Sequence, residues 1–191
     1  MKNIIIFASG SGTNAENIIR FFQSFDNIKI TYVVSNRPDA MALKRAEKLN
    51  VGTKIFSKDD FYGNNRAFNF LLREQPDMIV LAGFLLLVPA DIIKAFPRRI
   101  INIHPALLPK FGGKGMYGGN VHHAVIEQKE TESGITIHYV NEKYDDGDII
   151  FQAACPVLPN DTCETLAARI HELEYVHFPK VIQGIVENII V

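Results

Sequence analysis

Short, almost uninterrupted apolar runs recur through the first hundred residues, and they limit the folds open to this chain. The first, Asn3–Ala8, reads Asn-Ile-Ile-Ile-Phe-Ala and offers no alternation of wet and dry positions. A strand of that kind has to be covered on both faces, which is the condition of a strand inside a parallel sheet. Similar runs follow at Ile28–Val34, Thr53–Phe56, Asp77–Ala82 and Arg99–Ile103. Between them lie segments with helical spacing. Asn14–Phe25 places Ile18, Ile19, Phe22 and Phe25 on one side, and Ala40–Leu49 is entered through Pro38-Asp39. Ser57-Lys58-Asp59-Asp60 reads as a capping box for a helix reaching about Glu74, and a short helix is expected at Ala90–Phe96. Strand–helix alternation of this sort predicts an α/β fold: a Rossmann-like, open, mostly parallel sheet with helices on both faces.

The texture changes after His104. Pro105–Asn120 carries two prolines and five glycines and reads as a long irregular loop of the functional kind. Gly134–Val140 and Asp148–Val157 then form strands joined by the polar turn Asn141–Gly147, giving an antiparallel C-terminal strand region. Asn160-Asp161 is expected to cap a last helix running to about Asn188, with Leu166, Ile170, Leu173, Val181, Ile182 and Ile185 on its apolar face. No repeat or linker divides the sequence, so residues 1–191 are expected to form one domain.

Composition narrows the partners. A formal net charge of −1 provides no general attraction for nucleic acid or an anionic membrane, so a bound anion must be held by local groups. The longest apolar stretch, Met78–Ala90, is interrupted by Gly83 and Pro89 and falls short of the roughly 18 residues a span requires. The N-terminus shows no signal-peptide pattern, and Cys155 and Cys163 are too few for a disulfide framework. A cytoplasmic protein with reduced thiols is expected.

Ala8-Ser9-Gly10-Ser11-Gly12-Thr13-Asn14 lies between the first strand and the first helix. Glycines allow a tight turn whose N–H groups, with the helix N-terminus, suit a phosphate. Gly10-x-Gly12-x-x-Ala15 also meets a loose dinucleotide fingerprint. However, the second strand ends in Ser35-Asn36-Arg37, without the acidic residue that NAD ribose binding calls for. Arg37 could serve the extra phosphate of NADP, which keeps an NADP-binding reductase, or a simple nucleotide-binding module, as alternatives. A tight turn without a ligand is the plain structural reading.

Alternation puts Asn102 and His104 on the same side of the fifth strand, at its carboxyl end, where ligands bind in open α/β sheets. An amide and an imidazole together can stabilise a developing oxyanion. The Asn141–Gly147 turn could bring a carboxylate toward His104, which would favour the charged imidazole and raise its pKa. Asp146 and Asp148 are expected in solvent. His122 and His123 are adjacent and point apart, without ligands at metal spacing, so no metal is expected. His138 faces either the core or the rim of a pocket.

These segments resemble a known family. Ala8–Asn14, Leu81-Ala-Gly-Phe84, Asn102-Ile-His-Pro-Ala-Leu-Leu-Pro-Lys110, Gly115-Met-Tyr-Gly118 and Gly134–Gly147 are similar, in order and over nearly the whole chain, to glycinamide ribonucleotide formyltransferases of the folate-dependent formyltransferase family. The resemblance implies transfer of a formyl group from 10-formyltetrahydrofolate, as co-substrate, to the amine of glycinamide ribonucleotide in purine biosynthesis. It implies Asn102, His104 and Asp145 as catalytic residues, Asp145 rather than Asp146 because it stands two positions before Gly147. Ser11, Gly12, Thr13, Asn14 and Glu174 would hold the ribonucleotide. Leu85, Leu86, Leu87, Val88, Asn141 and Asp145 would line the folate site. A nucleotide-binding half at about 1–100 and a folate and catalytic half at about 101–191 follow, with a cis peptide at Leu108–Pro109. The partners implied are the two substrates, with neither nucleic acid nor membrane, and a monomer or weak homodimer. Leu86 departs from the family, many of whose members carry arginine there; Lys58 and Arg66 are the candidates for a folate-side cation. The rival formyltetrahydrofolate hydrolase would add an N-terminal regulatory domain, and a methionyl-tRNA formyltransferase would add a C-terminal RNA-binding domain. The expectation is therefore the transferase.

Overall fold

The computed structural model describes residues 1–188; positions 189–191 of the expected domain lie outside the described residues. Strand β1 (Lys2–Phe7) sends Ile4 and Ile6 into one core and Ile5 and Phe7 into another, and none of the four is more than 1 % exposed. It pairs in parallel with β2 (Ile28–Ser35) on one side and β4 (Met78–Leu81) on the other. β3 (Gly52–Ile55) adds to β2 and β5 (Ile100–His104) to β4, both parallel. β6 (Glu132–Tyr139) and β7 (Ile149–Pro156) complete the sheet antiparallel, in the order β3-β2-β1-β4-β5-β6-β7. The α/β class and its antiparallel C-terminal region are as the sequence implies.

Helices cover both faces. α1 (Thr13–Phe22), α2 (Met41–Lys48), α6 (Gly119–Glu127) and α7 (Cys163–Asn188) enclose the first core. α3 (Lys58–Tyr62), α4 (Arg66–Glu74) and α5 (Ala90–Ala95) enclose the second. The expected helix from Ser57 to Glu74 is thus two helices. The capping box forms, with Ser57 Oγ accepting from Asp60 N–H at 3.2 Å and Asp60 Oδ2 accepting from Ser57 N–H at 2.8 Å. The chain then breaks at Gly63–Asn65, where Asn65 adopts a left-handed φ of 58°, a conformation asparagine tolerates better than most residues.

Two other boundaries differ. The expected loop ends in α6, which buries Val121 and Val125 in the core and packs Ile126 against it, a short apolar face that two glycines and two histidines obscure in the sequence. The cap of α7 is Thr162, not Asn160-Asp161. Thr162 Oγ1 accepts from Thr165 N–H at 3.3 Å while Thr165 Oγ1 accepts from Thr162 N–H at 2.9 Å. Asp161 instead meets Arg169 at 2.8 Å. The base of the 105–118 loop, which contains the cis Leu108–Pro109 bond, is clasped by buried Thr136. Its Oγ1 accepts from Leu108 N–H at 2.9 Å and donates to the Ala106 carbonyl at 2.7 Å.

The order places the topological switch between β1 and β4, where successive connections leave the sheet toward opposite sides and a crevice opens at the carboxyl ends. The glycine turn borders it. Gly12 caps α1 with φ 72°, and a Cβ there would stand 2.3 Å from Ala42 Cα. Gly10 has open space around it. Gly12→Ala is therefore expected to cost about 2–5 kcal/mol, from left-handed strain and overpacking. Gly10→Ala should be neutral, or stabilising by under about 1 kcal/mol through the unfolded chain. Urea unfolding of the two variants checks the contrast.

Candidate active site

A cleft of about 780 Å³ opens over the carboxyl ends of β1, β4 and β5. Its floor is fastened by side chains that show no periodicity in the sequence. Buried Ser9 donates its hydroxyl to Asn36 Oδ1 at 2.5 Å and accepts Leu85 N–H at 3.0 Å, linking the ends of β1, β2 and β4. Asn36 is thus structural, and Arg37 beside it is engaged with Asp39 at 3.0 Å.

The glycine turn forms one wall. Its carbonyls are tied down from behind: Gly10 O accepts Ala42 N–H at 3.1 Å, and Ser11 O accepts Arg45 Nε at 2.9 Å. Arg45 is held in turn by Glu16. The helical ladder begins with Glu16 N–H donating to Gly12 O at 2.9 Å, and Gly12 supplies no side-chain cap. The preceding donors of Ser11–Asn14 therefore face the cleft as a set suited to an anion.

Asn102, His104 and Asp145 converge on the opposite wall. In β5, Ile100 enters the second core, and the next two positions on that face are Asn102 and His104. Asp145 reaches them from the 141–147 turn with a left-handed φ of 52°. Gly147 makes this possible, because a Cβ there would lie 1.8 Å from the Tyr139 carbonyl oxygen. Asp145 Oδ2 accepts Gly113 N–H at 3.0 Å and lies 3.5 Å from His104 Nδ1. Asp145 Oδ1 accepts from Asn102 Nδ2 at 3.3 Å. His138, which sequence left between core and rim, is the fourth member. Its Nδ1 donates to the Tyr139 carbonyl at 2.8 Å, so its Nε2 accepts from Asn102 Nδ2 at 3.1 Å. Asp146 stays exposed, as expected, and pairs with Lys143 at 3.6 Å.

The charge state of His104 differs from the sequence expectation. Its Nε2 lies 2.7 Å from the Phe111 carbonyl, which assigns the proton to Nε2 and leaves a lone pair on Nδ1. Burial pushes the imidazole pKa below its ordinary value and outweighs the upward pull of Asp145 and of the Phe111 carbonyl. The resting imidazole is neutral. For Asp145 burial alone would raise the pKa, but the Gly113 N–H and the neighbouring imidazoles in their protonated forms hold it below the usual carboxylate value. A carboxylate thus faces an imidazole lone pair, a vacancy shaped for one proton.

At the far end of the cleft, Glu174 on α7 is 4 % exposed and accepts from Asn14 Nδ2 at 2.8 Å. It also meets His171 Nδ1 at 2.7 Å, a bond that raises the His171 pKa. Sequence reasoning missed His171; its one signal is the i, i+3 spacing from Glu174 on the same helix face. Of the expected folate-side residues, Leu85 and Asp145 line the cleft. Leu86 packs on the second core and Val88 is buried in it, while the Leu87 carbonyl accepts the Tyr62 hydroxyl. Asn141 holds its own turn through Asp146 and the Lys143 N–H. Lys58 and Arg66 do not line the cleft; Arg66 pairs with Asp60 at 3.0 Å beside a separate groove. Among the described residues no cluster of His, Cys, Asp or Glu is grouped to hold a metal ion, and no helix is long and apolar enough to cross a membrane.

A nucleotide-type sheet whose switch crevice carries an amide, an imidazole and a carboxylate describes a group-transfer enzyme, and the chain belongs to the formyl transferase family, which it matches over residues 2–182. Its relatives narrow the comparison. Phosphoribosylglycinamide formyltransferase of Haemophilus influenzae is 37 % identical, over 98 % of this chain and 89 % of that protein. The chloroplastic phosphoribosylglycinamide formyltransferase of Arabidopsis thaliana is 38 % identical over 98 % of this chain, which spans 66 % of the plant protein. Glycinamide ribonucleotide transformylase 1 of Symbiobacterium toebii superposes with a TM-score of 0.90 at 33 % identity, covering 100 % of this chain and 90 % of that one.

The electrostatic balance at His104 has a measurable sign. Asp145 pulls the imidazole pKa upward against burial, so Asp145→Asn should move it further down, whereas Asp146→Asn should leave it in place. An NMR titration of the His104 ring reads this directly, and an unchanged value in Asp145→Asn would contradict the assignment.

Proposed function

We propose that this protein transfers the formyl group of 10-formyltetrahydrofolate to the amine of glycinamide ribonucleotide, a step of de novo purine biosynthesis. The observation that carries the reading is that one cleft joins an anion-receptive helix N-terminus at Ser11–Asn14 to the Asn102–His104–Asp145 cluster. The donors of the turn hold the substrate phosphate. Glu174 accepts from the ribose hydroxyls, and Asn14 Oδ1, buried without a hydrogen-bond partner among the described residues, supplies a second acceptor. Leu85 and Asp145, which line the cleft, face the side from which the folate presents its formyl carbon. The ribonucleotide half, up to about residue 100, is completed by Glu174 from beyond it, and the folate and catalytic half is completed by Leu85. A cytoplasmic location accords with the free thiols of Cys155 and Cys163.

The amine nitrogen attacks the formyl carbon, forming a C–N bond and leaving negative charge on the formyl oxygen. Neutral His104 takes the proton that the amine sheds. The resulting imidazolium keeps its Nε2–H on the Phe111 carbonyl and gains an Nδ1–H beside the Asp145 carboxylate, so it stabilises the oxyanion by its charge while Asn102 donates the hydrogen bond. Both Asn102 amide hydrogens are engaged in the resting site, so donation to the oxyanion exchanges one of those bonds. On collapse the bond from the formyl carbon to the folate nitrogen breaks, and the proton passes to that nitrogen.

Consumption of 10-formyltetrahydrofolate should depend on glycinamide ribonucleotide. Equal release of formate without the amine would assign a hydrolase instead. Asp145→Asn should lower kcat about 100- to 1000-fold and leave KM within about threefold, because the loss falls on the transition state. Asp146→Asn should be nearly silent. If the neighbour is the crippled variant, the aspartate assignment fails.

A further inference from the structure

One buried group in the cleft has no part in this scheme. His122 on α6 is 3 % exposed and lines the cleft, and its Nδ1 is buried without a hydrogen-bond partner among the described residues. An unpaired buried polar atom costs about 1–3 kcal/mol, so a fold with no use for it is better served by an apolar ring. Burial lowers the pKa of His122 and keeps the ring neutral, helped by the nearby imidazoles of His171, His104 and His123 and opposed by Glu174. A neutral imidazole has one donor and one acceptor.

Its neighbours define where it stands. Glu174 and His171 belong to the end of the cleft that reaches Asn14, and His104 to the end with Asp145. His122 lines the same cleft as both groups. In the substrate of the reaction proposed above, the piece between the ribose and the nucleophilic amine is a secondary carboxamide, with one N–H and one carbonyl. We propose that His122 contacts the substrate, hydrogen-bonding this carboxamide and so selecting acceptors in which an amide separates sugar from amine. The inference rests on that reading of function. Its chemistry is bond-free: His122 orients the amine toward the formyl carbon and takes no proton.

His122→Phe and His122→Asn test it. Phe fills a similar volume without a hydrogen bond, and Asn keeps one donor site and one acceptor site. In His122→Phe, KM for glycinamide ribonucleotide should rise about tenfold, the effect of one lost hydrogen bond, with KM for 10-formyltetrahydrofolate unchanged. His122→Asn should recover part of that loss. The unliganded Phe variant should melt no lower than the parent, because its substitution removes an unpaired polar atom. An unchanged KM, equal losses in both variants, or a melting point lower by more than about 5 °C without a KM effect would overturn the proposal. Should the parent protein fail to formylate glycinamide ribonucleotide at all, the functional reading fails first. A parent that formylates it while His122→Phe matches the parent sinks this inference alone.

Discussion

Because Ile4, Ile5, Ile6 and Phe7 are all cut off from water, β1 can occupy only the interior of a sheet that is covered above and below. Two cores follow, one for each face, and so do parallel neighbours on both edges of the strand. Parallel pairing aligns the carboxyl ends of β1, β4 and β5, and the connections leaving β1 and β4 diverge there. The cleft is the space between those connections. Hydrophobic burial and parallel pairing thus place the donors of Ser11–Asn14 and the pair Asn102 and His104 at the same end of the molecule.

The same exclusion of water governs the chemistry. Desolvation makes His104 neutral despite a carboxylate at 3.5 Å, and the accumulated donors around Asp145 keep that carboxylate charged despite its own burial. A single proton therefore has one favourable place to arrive. The site holds one negative charge at rest and gains a positive charge beside it during the reaction, and burial of both groups strengthens their interaction.

Features with a period, or with a local chemical signature, were legible from residue order. The strands, most helices, the glycine turn, and the shared face of Asn102 and His104 belong to this group. Asp145 over Asp146 was legible only through family resemblance; the physical basis is Gly147, which lets the turn fold back onto the Tyr139 carbonyl. Contacts that join distant segments left no such trace. Ser9 bridging Asn36 and Leu85 and Thr136 clasping the 106–108 backbone are single side chains whose meaning depends on the finished fold. The charge of His104 is not legible in the sequence, because a carboxylate can be inferred from residue order more readily than the depth of a cavity.

The contact between Gly12 and Ala42 changes what a glycine-rich turn says about ligands. With 2.3 Å between a would-be Cβ and the α2 backbone, position 12 must be bare whether or not a phosphate ever arrives. The two residues share one volume, and growth at either site has to be conceded by the other. A chain of this architecture that had lost all taste for nucleotides would still display the glycine, as a record of how closely two helices begin.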